Sequence, residues 1–396
     1  MKLLPVDEAR ARMLAEVPAP AAETVPLDKA AGRVLAEDVT AVRHQPPFHA
    51  SAMDGYAVRA ADTPGTLAVV GESAAGRGHA GVLGAGQAVR IFTGAALPAG
   101  ADAVVIQEDA RREGDAVTVP GVEPRHYVRP AGGDFRAADA LLSRGVRLDP
   151  WRLSLAAAAG RAELAVARRP RVALLSTGEE IIEAPARPGP FQIYDSATPA
   201  LAAMIAAFGG DPVRARPVRD DLEATIAALR AAEAELVVTI GGASVGDHDL
   251  VRKAGEALGL DLKVASVAVR PGKPTFFGRL ADGRLMLGLP GNPASAFVCA
   301  ELFLRPLLAR WQGAEAGPRL IPARLETPLP ANGPREHWMR ARLAYADGAV
   351  SVLPFRDQDS SLVSVFAAAD ALLRRQPGAP AAEAGSLAEV LPLSRA

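Results

Sequence analysis

Two cations sit on one stiff turn of this chain, Arg270-Pro271-Gly272-Lys273-Pro274. The prolines limit the turn's freedom, so Arg270 and Lys273 present fixed positive charge suited to an oxyanion. An ordinary surface turn carries the same residue types, and the turn alone does not separate the two readings. Lysine is scarce here: of 44 basic residues only Lys2, Lys29, Lys253, Lys263 and Lys273 are Lys, which adds a little weight to Lys273.

The strongest local signal is Gly241-Gly242-Ala243-Ser244-Val245-Gly246-Asp247-His248-Asp249, which follows an apolar run and precedes a helical pattern. Glycines there let backbone N–H groups approach a phosphate, and the helix start adds a favourable dipole. Gly241, Gly242, Ser244, Gly246 and Asp247 are therefore binding candidates, and Asp247 or Asp249 can hold a divalent cation against phosphate oxygens. A glycine-rich turn with aspartates capping the helix fits equally well. No Gly-Lys-Ser/Thr follows, so this is not a Walker loop.

Two further loops share this strand-to-helix setting. In Gly288-Leu289-Pro290-Gly291-Asn292-Pro293-Ala294-Ser295, Asn292 suits a helix cap and Pro293 the first helical position, a structural role. In Ser176-Thr177-Gly178-Glu179-Glu180, Glu180 can meet a cation or a ribose hydroxyl, or stand in solvent. Ser51-Ala52-Met53-Asp54-Gly55-Tyr56-Ala57 reads by itself as a turn. No nucleophile elbow, Cys–His pair or helical pair of histidine ligands is present, and His44 and His49 read as surface residues.

The elements that must position these loops follow from periodicity. Pro5, Val6, Ala9, Met13 and Val17 predict a first helix. Residues 49–136 predict a β-rich segment with strands near 66–70, 88–93, 103–107 and 116–119. Residues 137–168 read as helical and are expected to pack with the first helix, making the β segment an insertion. From 170 to 313 the chain alternates. Strands are expected at 171–175, 213–218, 236–240 and 285–289. Helices are expected around Leu201–Phe208 stopped by Gly209, after the cap Asp221, around Leu250–Leu258, and along Phe297, Ala300, Leu304, Leu308 and Trp311. Such alternation predicts a mainly parallel α/β sheet with ligands at the carboxyl ends of its strands. A hairpin around Asp347-Gly348 opens a small β-barrel or sheet at the end. The expected division is residues 1–48 with 137–169 (helical, linking), 49–136 (β-rich insertion), 170–317 (α/β, nucleotide-binding) and 318–396 (β).

Length and composition bound the rest. With 396 residues, 49% apolar and 22% charged, the chain has matter for two to four globular domains. A net charge of −1 speaks against a general nucleic-acid binder. Cys299 is the only cysteine, so intrachain disulfides and Cys-rich zinc sites are excluded and a reducing compartment suits the chain. The start lacks a signal-peptide pattern, and the apolar run 153–160 is too short to span a bilayer. The expectation is a cytoplasmic protein without membrane or nucleic-acid partners.

Taken in order, the motifs resemble the molybdopterin molybdenumtransferase family (bacterial MoeA and the E-domain of gephyrin). The resemblance runs over nearly the whole chain. It takes in Pro46-Pro47-Phe48 leading to residues 51–58, Arg90-Ile91-Phe92-Thr93-Gly94-Ala95, Gly100-Ala101-Asp102, Gly132-Gly133-Asp134, residues 176–180, Tyr194-Asp195-Ser196, Asp220-Asp221, and residues 241–249, 270–274 and 288–295. Arg340 and Ser361 complete it. Each motif is weak and the ordered set is specific. The chain departs from the family pattern at Ala197, at His49 and Ala50, at Glu179 and at Ser266.

The resemblance implies an elongated four-domain homodimer whose α/β domain is like a molybdopterin adenylyltransferase. It implies an enzyme that takes adenylylated molybdopterin and molybdate with Mg²⁺, cleaves the phosphoanhydride, releases AMP and leaves molybdenum on the dithiolene. Asp54, Thr93, Asp134, Glu180 and Lys273 fall at catalytic positions. Arg270 falls at a binding position, and Lys273, Pro274, Arg340 and Ser361 at the molybdate pocket. Asp220 and Asp249 are the metal candidates. The implied active site is a cleft between subunits, with the tail domain of one chain facing the α/β domain of the other. Implied protein partners are the molybdopterin adenylyltransferase and molybdoenzyme chaperones. The competing readings are an adenylyltransferase, against which the extra β regions speak, and a scaffold protein, against which the lack of a long low-complexity linker speaks.

Overall fold

The structure, a computed structural model, describes residues 3–242, 250–346 and 348–393. It splits into two compact units, Met1–Glu23 with Ala167–Ala396, and Thr24–Val166.

The first helix, α1 (Val6–Ala15), buries Val6, Ala9 and Met13, one stripe at helical spacing, with Asp7 and Glu8 in its first turn. That stripe joins the core of the α/β layer described below, together with Leu201, Phe303 and Leu307. Leu4 bridges to Val267, and Glu16 meets Arg279 at 2.9 Å.

The Thr24–Val166 unit holds a six-stranded sheet: β1 (Gly55–Val58), β2 (Gly65–Ser73), β3 (Gln87–Ile91), β4 (Ala103–Ile106), β5 (Arg111–Glu113) and β6 (Ala116–Val119), in the order β4-β1-β3-β2-β6-β5. The four strands expected from β-prone runs are present. The other two, β1 and β5, are additions, and β1 lies where Asp-Gly-Tyr reads as a turn. Gly55 is there for close pairing, since a Cβ on it would overlap the carbonyl of Val105. The helical reading of 137–168 holds only for α2 (Pro150–Ala158), capped by Asp149 and flanked by strands Ala140–Leu142 and Glu163–Ala167. The buried Ala156 of α2 packs with Leu35, Val39 and Leu148.

The other unit carries the α/β layer. Its elements are β7 (Arg171–Ser176), α3 (Ala197–Phe208), β8 (Asp211–Arg214), α4 (Leu222–Ala231), β9 (Leu236–Ile240), α5 (Leu250–Ala257), β10 (Asp261–Val264), β11 (Val269–Arg270), β12 (Phe276–Arg279), β13 (Leu285–Leu289), α6 (Pro293–Cys299) and α7 (Arg305–Trp311). The sheet order is β8-β7-β9-β13-β12-β10, parallel through β13 and antiparallel beyond. β9 and β13 are buried at every position, as strands covered on both faces must be. Gly209 ends α3 with φ 93°, and the Asp221 side chain caps α4 by accepting from Ala224 N at 2.7 Å. The strand expected at 213–218 lies earlier, at β8, and Val218 makes only an isolated bridge to Thr177. The strands β10 and β12 are additions to the expected set. α6 and α7 are joined through a π-helical turn, Ala300–Leu304, buried throughout.

The tail contains β14 (Ile321–Leu325), β15 (Glu336–Ala346), β16 (Ala349–Pro354), α8 (Val363–Ala368), β17 (Ala371–Arg375) and β18 (Leu387–Pro392). The order β15-β16-β14-β18-β17 closes on itself through a β17–β15 pairing, a five-stranded barrel. The expected hairpin is β15–β16, with Ala346 opposite Ala349. β11 adds to the barrel in parallel with β15, tying the α/β layer to the tail within one chain. Among the described residues no helix is long and apolar enough to cross a membrane.

Candidate active site

A cavity of about 1530 Å³ opens where the carboxyl ends of β7, β9 and β13 meet the barrel loops. Three expected loops form its floor, and glycines let them touch. Thr177 N donates to Ile240 O at 3.0 Å, and Gly241 N to Leu289 O at 3.3 Å. Gly241 has φ 85°, and a Cβ on it would stand 2.8 Å from Thr177 O. Gly242 has φ 61° and faces Thr177 Oγ1 and Val251. Ser244, Gly246, Asp247 and Asp249 lie outside the described residues.

The cationic turn forms one wall, with Arg270, Lys273 and Pro274 lining the cavity. It is held from beneath. Thr275 Oγ1 donates to Gly272 O at 2.8 Å and lies 3.1 Å from Cys299 Sγ. Thr275 and Cys299 are fully buried. Burial pushes the Cys299 thiol up to about 12, so it stays a neutral packing group. Lys273 is exposed to the cavity, whereas its support is solid protein.

Carboxylates form a second wall: Glu180, Asp195 and Asp220. Asp220 Oδ2 accepts from Glu179 N at 3.3 Å, which steadies the loop carrying Glu180. Asp195 Oδ1 accepts from Ala197 N and Thr198 N at 3.1 and 2.9 Å, capping α3, while its Oδ2 is buried without a partner. Sequence reasoning passed over Asp195 as a site residue, though it lay in the Tyr-Asp-Ser motif. Asn292 stands at the start of α6, with Pro293 following as expected. Its side chain does not cap but donates to Ser360 Oγ at 2.8 Å, linking the helix start to a barrel loop.

Among the described residues no three His, Cys, Asp or Glu side chains cluster as a metal cage. Glu180, Asp220 and the unpartnered Asp195 oxygen all belong to the cavity lining, and Mg²⁺ takes single carboxylate oxygens of this kind while keeping several waters.

The barrel forms the third wall. Ser361 lines it, its hydroxyl donating to Asp359 Oδ1 at 2.6 Å. That bond, the Ser361 N–H and Arg340 hold the Asp359 carboxyl below its ordinary range. Arg340 does not line the cavity. It is fully buried beneath the 355–361 loop, where Nη2 donates to Asp359 O at 2.9 Å and Nε and Nη1 have no partner. Strand parity is the reason: His337 and Met339 face the cavity, so Arg340 falls on the other side of β15. Within the chain, tail and α/β residues line one cavity. The β11–β15 pairing brings them together. Sequence reasoning missed Arg335, His337 and Arg375 on this wall. Strand alternation in Arg335-Glu336-His337-Trp338-Met339 was the available signal.

In the Thr24–Val166 unit, Asp54 and Thr93 are brought together. Asp54 Oδ1 accepts from Thr93 N and Thr93 Oγ1, both at 2.7 Å. The Thr93 N–H, its hydroxyl and the nearby Arg90 hold the Asp54 carboxyl below its ordinary range. Arg90 is itself fixed by Gly55 O at 3.0 Å and stacks on Phe92. Asp134 is exposed, and no hydrogen bond among the described residues joins it to this pair.

Comparison with known proteins gives three consecutive family matches. Residues 4–160 match the MoeA N-terminal region (domain I and II), 173–310 a probable molybdopterin binding domain, and 322–393 the MoeA C-terminal region (domain IV). The chain is 34% identical over 406 residues to the molybdopterin molybdenumtransferase of Bacillus subtilis, covering 98% of this chain and 94% of the relative. It is 37% identical over 345 residues to that of a Nostoc species, covering 82% and 78%. A solved structure of a molybdopterin biosynthesis MoeA protein from Pyrococcus horikoshii superposes with TM-score 0.84 at 32% identity, covering all of both chains.

Proposed function

The chain belongs to the MoeA family of molybdopterin molybdenumtransferases, and from that premise we propose that it makes finished molybdenum cofactor from adenylylated molybdopterin and molybdate, releasing AMP. The observation that carries this reading is the cavity itself, which combines a rigidly backed Lys273 turn, a carboxylate wall and glycine-bearing strand ends. A stand-alone adenylyltransferase would account only for the α/β layer and leave the matches at 4–160 and 322–393 unexplained.

In this reading the Gly241 and Gly242 strand end, with Ser244, Gly246 and Asp247, receives the nucleotide and pyrophosphate. Arg270, Lys273 and Pro274 receive oxyanion charge together with Ser361. Molybdate is a compact dianion that competes with water for its ligands, so capture needs several fixed donors and a sheltered cation. The two unpaired donors of Arg340 support a role for that residue beneath the same pocket. Asp220 and Asp249 would hold Mg²⁺, which when bound neutralises charge on the phosphoanhydride as it is cleaved. Glu180 faces the same lining, and Asp54, Thr93 and Asp134 are assigned catalytic work through the family resemblance. The Thr93 bonds keep Asp54 ionised, a state suited to orienting a cation or a donor group.

The reading extends to a homodimer, to a cytoplasmic setting suited to a single buried thiol, and to exchange with the molybdopterin adenylyltransferase and molybdoenzyme chaperones. The deciding experiment supplies adenylylated molybdopterin, molybdate and Mg²⁺ and follows AMP together with reconstitution of a cofactor-free molybdoenzyme. AMP and active cofactor are expected. Absence of both with folded protein would overturn the assignment. A monomer at micromolar concentration with full activity would remove the dimer.

A further inference from the structure

We propose that Arg335, His337 and Arg375, with Arg270 from the strand end that leads into the Lys273 turn, form an oxyanion subsite on the barrel wall that does not use Lys273 and receives a tetrahedral dianion. The proposal rests on the reading of the cavity as one that handles oxyanions, and it adds a second place for one. The ligand chemistry is that of molybdate or of a phosphate monoester.

Strand register assembles the four side chains. His337 on β15 is the direct partner of Arg270 on β11 and of Arg375 on β17. Residues directly opposed on neighbouring strands face the same side, and Arg335, in the bend just before β15, lines the same cavity. All four line the cavity. The alternate residues turn the other way, into the protein. Arg374 meets Glu336 at 2.9 Å, Glu389 at 3.4 Å and Asp7 at 3.7 Å, and Trp338 packs in the core. On the cavity side, by contrast, Arg270, Arg335 and Arg375 make no ion pair with a carboxylate among the described residues. Arg335 Nη1 reaches only Val269 O at 3.4 Å, and Arg375 Nη2 is anchored on the carbonyls of Pro330 and Pro380. Each guanidinium has five donors, so most remain for a ligand.

His337 supplies the second observation. It is 8% exposed, and its Nε2 is buried without a partner. Like charges gathered around a buried, unpaired donor or acceptor cost stability, and an anion between them removes that cost. Guanidinium groups suit the task because their planar forks meet tetrahedral oxyanions through paired hydrogen bonds.

A consequence for pH follows. Burial first, then Arg270 from β11, Arg340 from its own strand, Arg335 just before that strand and Arg375 from β17, push the His337 imidazole down to about 4. A dianion among these cations opposes them, so binding raises the imidazole's affinity for a proton. Anion binding is therefore expected to tighten as pH falls, with proton uptake.

The test uses inorganic sulfate, a dianion that does not itself titrate between about pH 5 and pH 8, where histidine linkage is read. Calorimetric titration of the full-length protein is expected to show sulfate binding that strengthens toward lower pH. The Arg335→Gln/Arg375→Gln double variant is expected to weaken it by about tenfold or more. His337→Gln is expected to bind sulfate with the pH dependence flattened, and Lys273→Ala to keep this binding event. Competition tells the two ligand sources apart, AMP displacing sulfate for a phosphate monoester and molybdate for the metal oxyanion. Wild-type sulfate affinity in a folded double variant would overturn the subsite, as would loss of all sulfate binding in Lys273→Ala. Turnover without a barrel-wall sulfate site sinks the subsite alone. Sulfate binding here without turnover leaves the subsite and sinks the activity reading.

Discussion

Gly272 lies directly against Cys299: its φ is 121°, and a Cβ built on it would overlap the Cys299 sulfur. The turn that carries Lys273 is thus seated on a buried thiol, with Thr275 pinning both partners.

Gly272→Ala should cost roughly 1–3 kcal/mol from backbone strain and overlap. It should also raise the molybdate requirement by displacing Lys273. Adding Cys299→Ala restores room but not the φ, so recovery should be partial. Thermal melts with molybdate titrations check this, and a fully active, fully stable Gly272→Ala would contradict the seating. The same burial predicts that iodoacetamide leaves Cys299 unmodified in native protein and alkylates it in urea. Its thiol is pushed up to about 12.

Lys273→Ala should raise the molybdate concentration for half-maximal activity by about 10-fold to 100-fold, the worth of one charged hydrogen bond, and affect AMP binding less. Arg340→Ala should also raise it, with a larger loss of stability, because Arg340 is fully buried and holds Asp359 O at 2.9 Å. Unchanged molybdate dependence in both variants, with normal folding, would dissolve this pocket. If both cations were mere surface charges, their removal would change little at moderate salt.

Asp220 and Asp221 are adjacent and should behave oppositely. Asp221→Ala removes a helix cap and should cost about 1 kcal/mol with turnover kept. Asp220→Ala should raise the Mg²⁺ requirement of AMP release with little change in melting temperature. Asp249→Ala should resemble Asp220→Ala. A lowered melting temperature with unchanged Mg²⁺ dependence would instead assign Asp249 to capping.

Thr93→Val should raise the Asp54 carboxyl toward its ordinary range, since the hydroxyl donor is lost and the backbone donor kept. The sign follows from the folded carboxyl titrating below the unfolded one. The stability it contributes is present above the unfolded value and fades as pH falls through the folded value. Carboxyl NMR titration reads this directly, and an identical Asp54 midpoint in both proteins would show that the hydroxyl contributes nothing.

The sequence by itself determined much of the fold, because local patterns carry it. Fully apolar runs became the buried strands β9 and β13, Gly209 and Asp221 ended and started helices, and the expected hairpin formed as β15–β16. It also picked out the loops at the sheet's carboxyl edge and the Lys273 turn, since glycine, proline and charge in a strand-to-helix setting have few other uses. The strands flanking α2 and β1 escape a local reading because Ala-rich strands and a strand starting beside Asp-Gly-Tyr have weak local signatures, and tertiary pairing decides them. Only the tertiary structure decided what faces the cavity. Pairing of β11 with β15 joined two walls within one chain, and a strand's two-residue period turned His337 inward while sending Arg340 beneath a loop. Which side of a strand meets a cavity depends on register against partners far along the chain, and no local spacing encodes that.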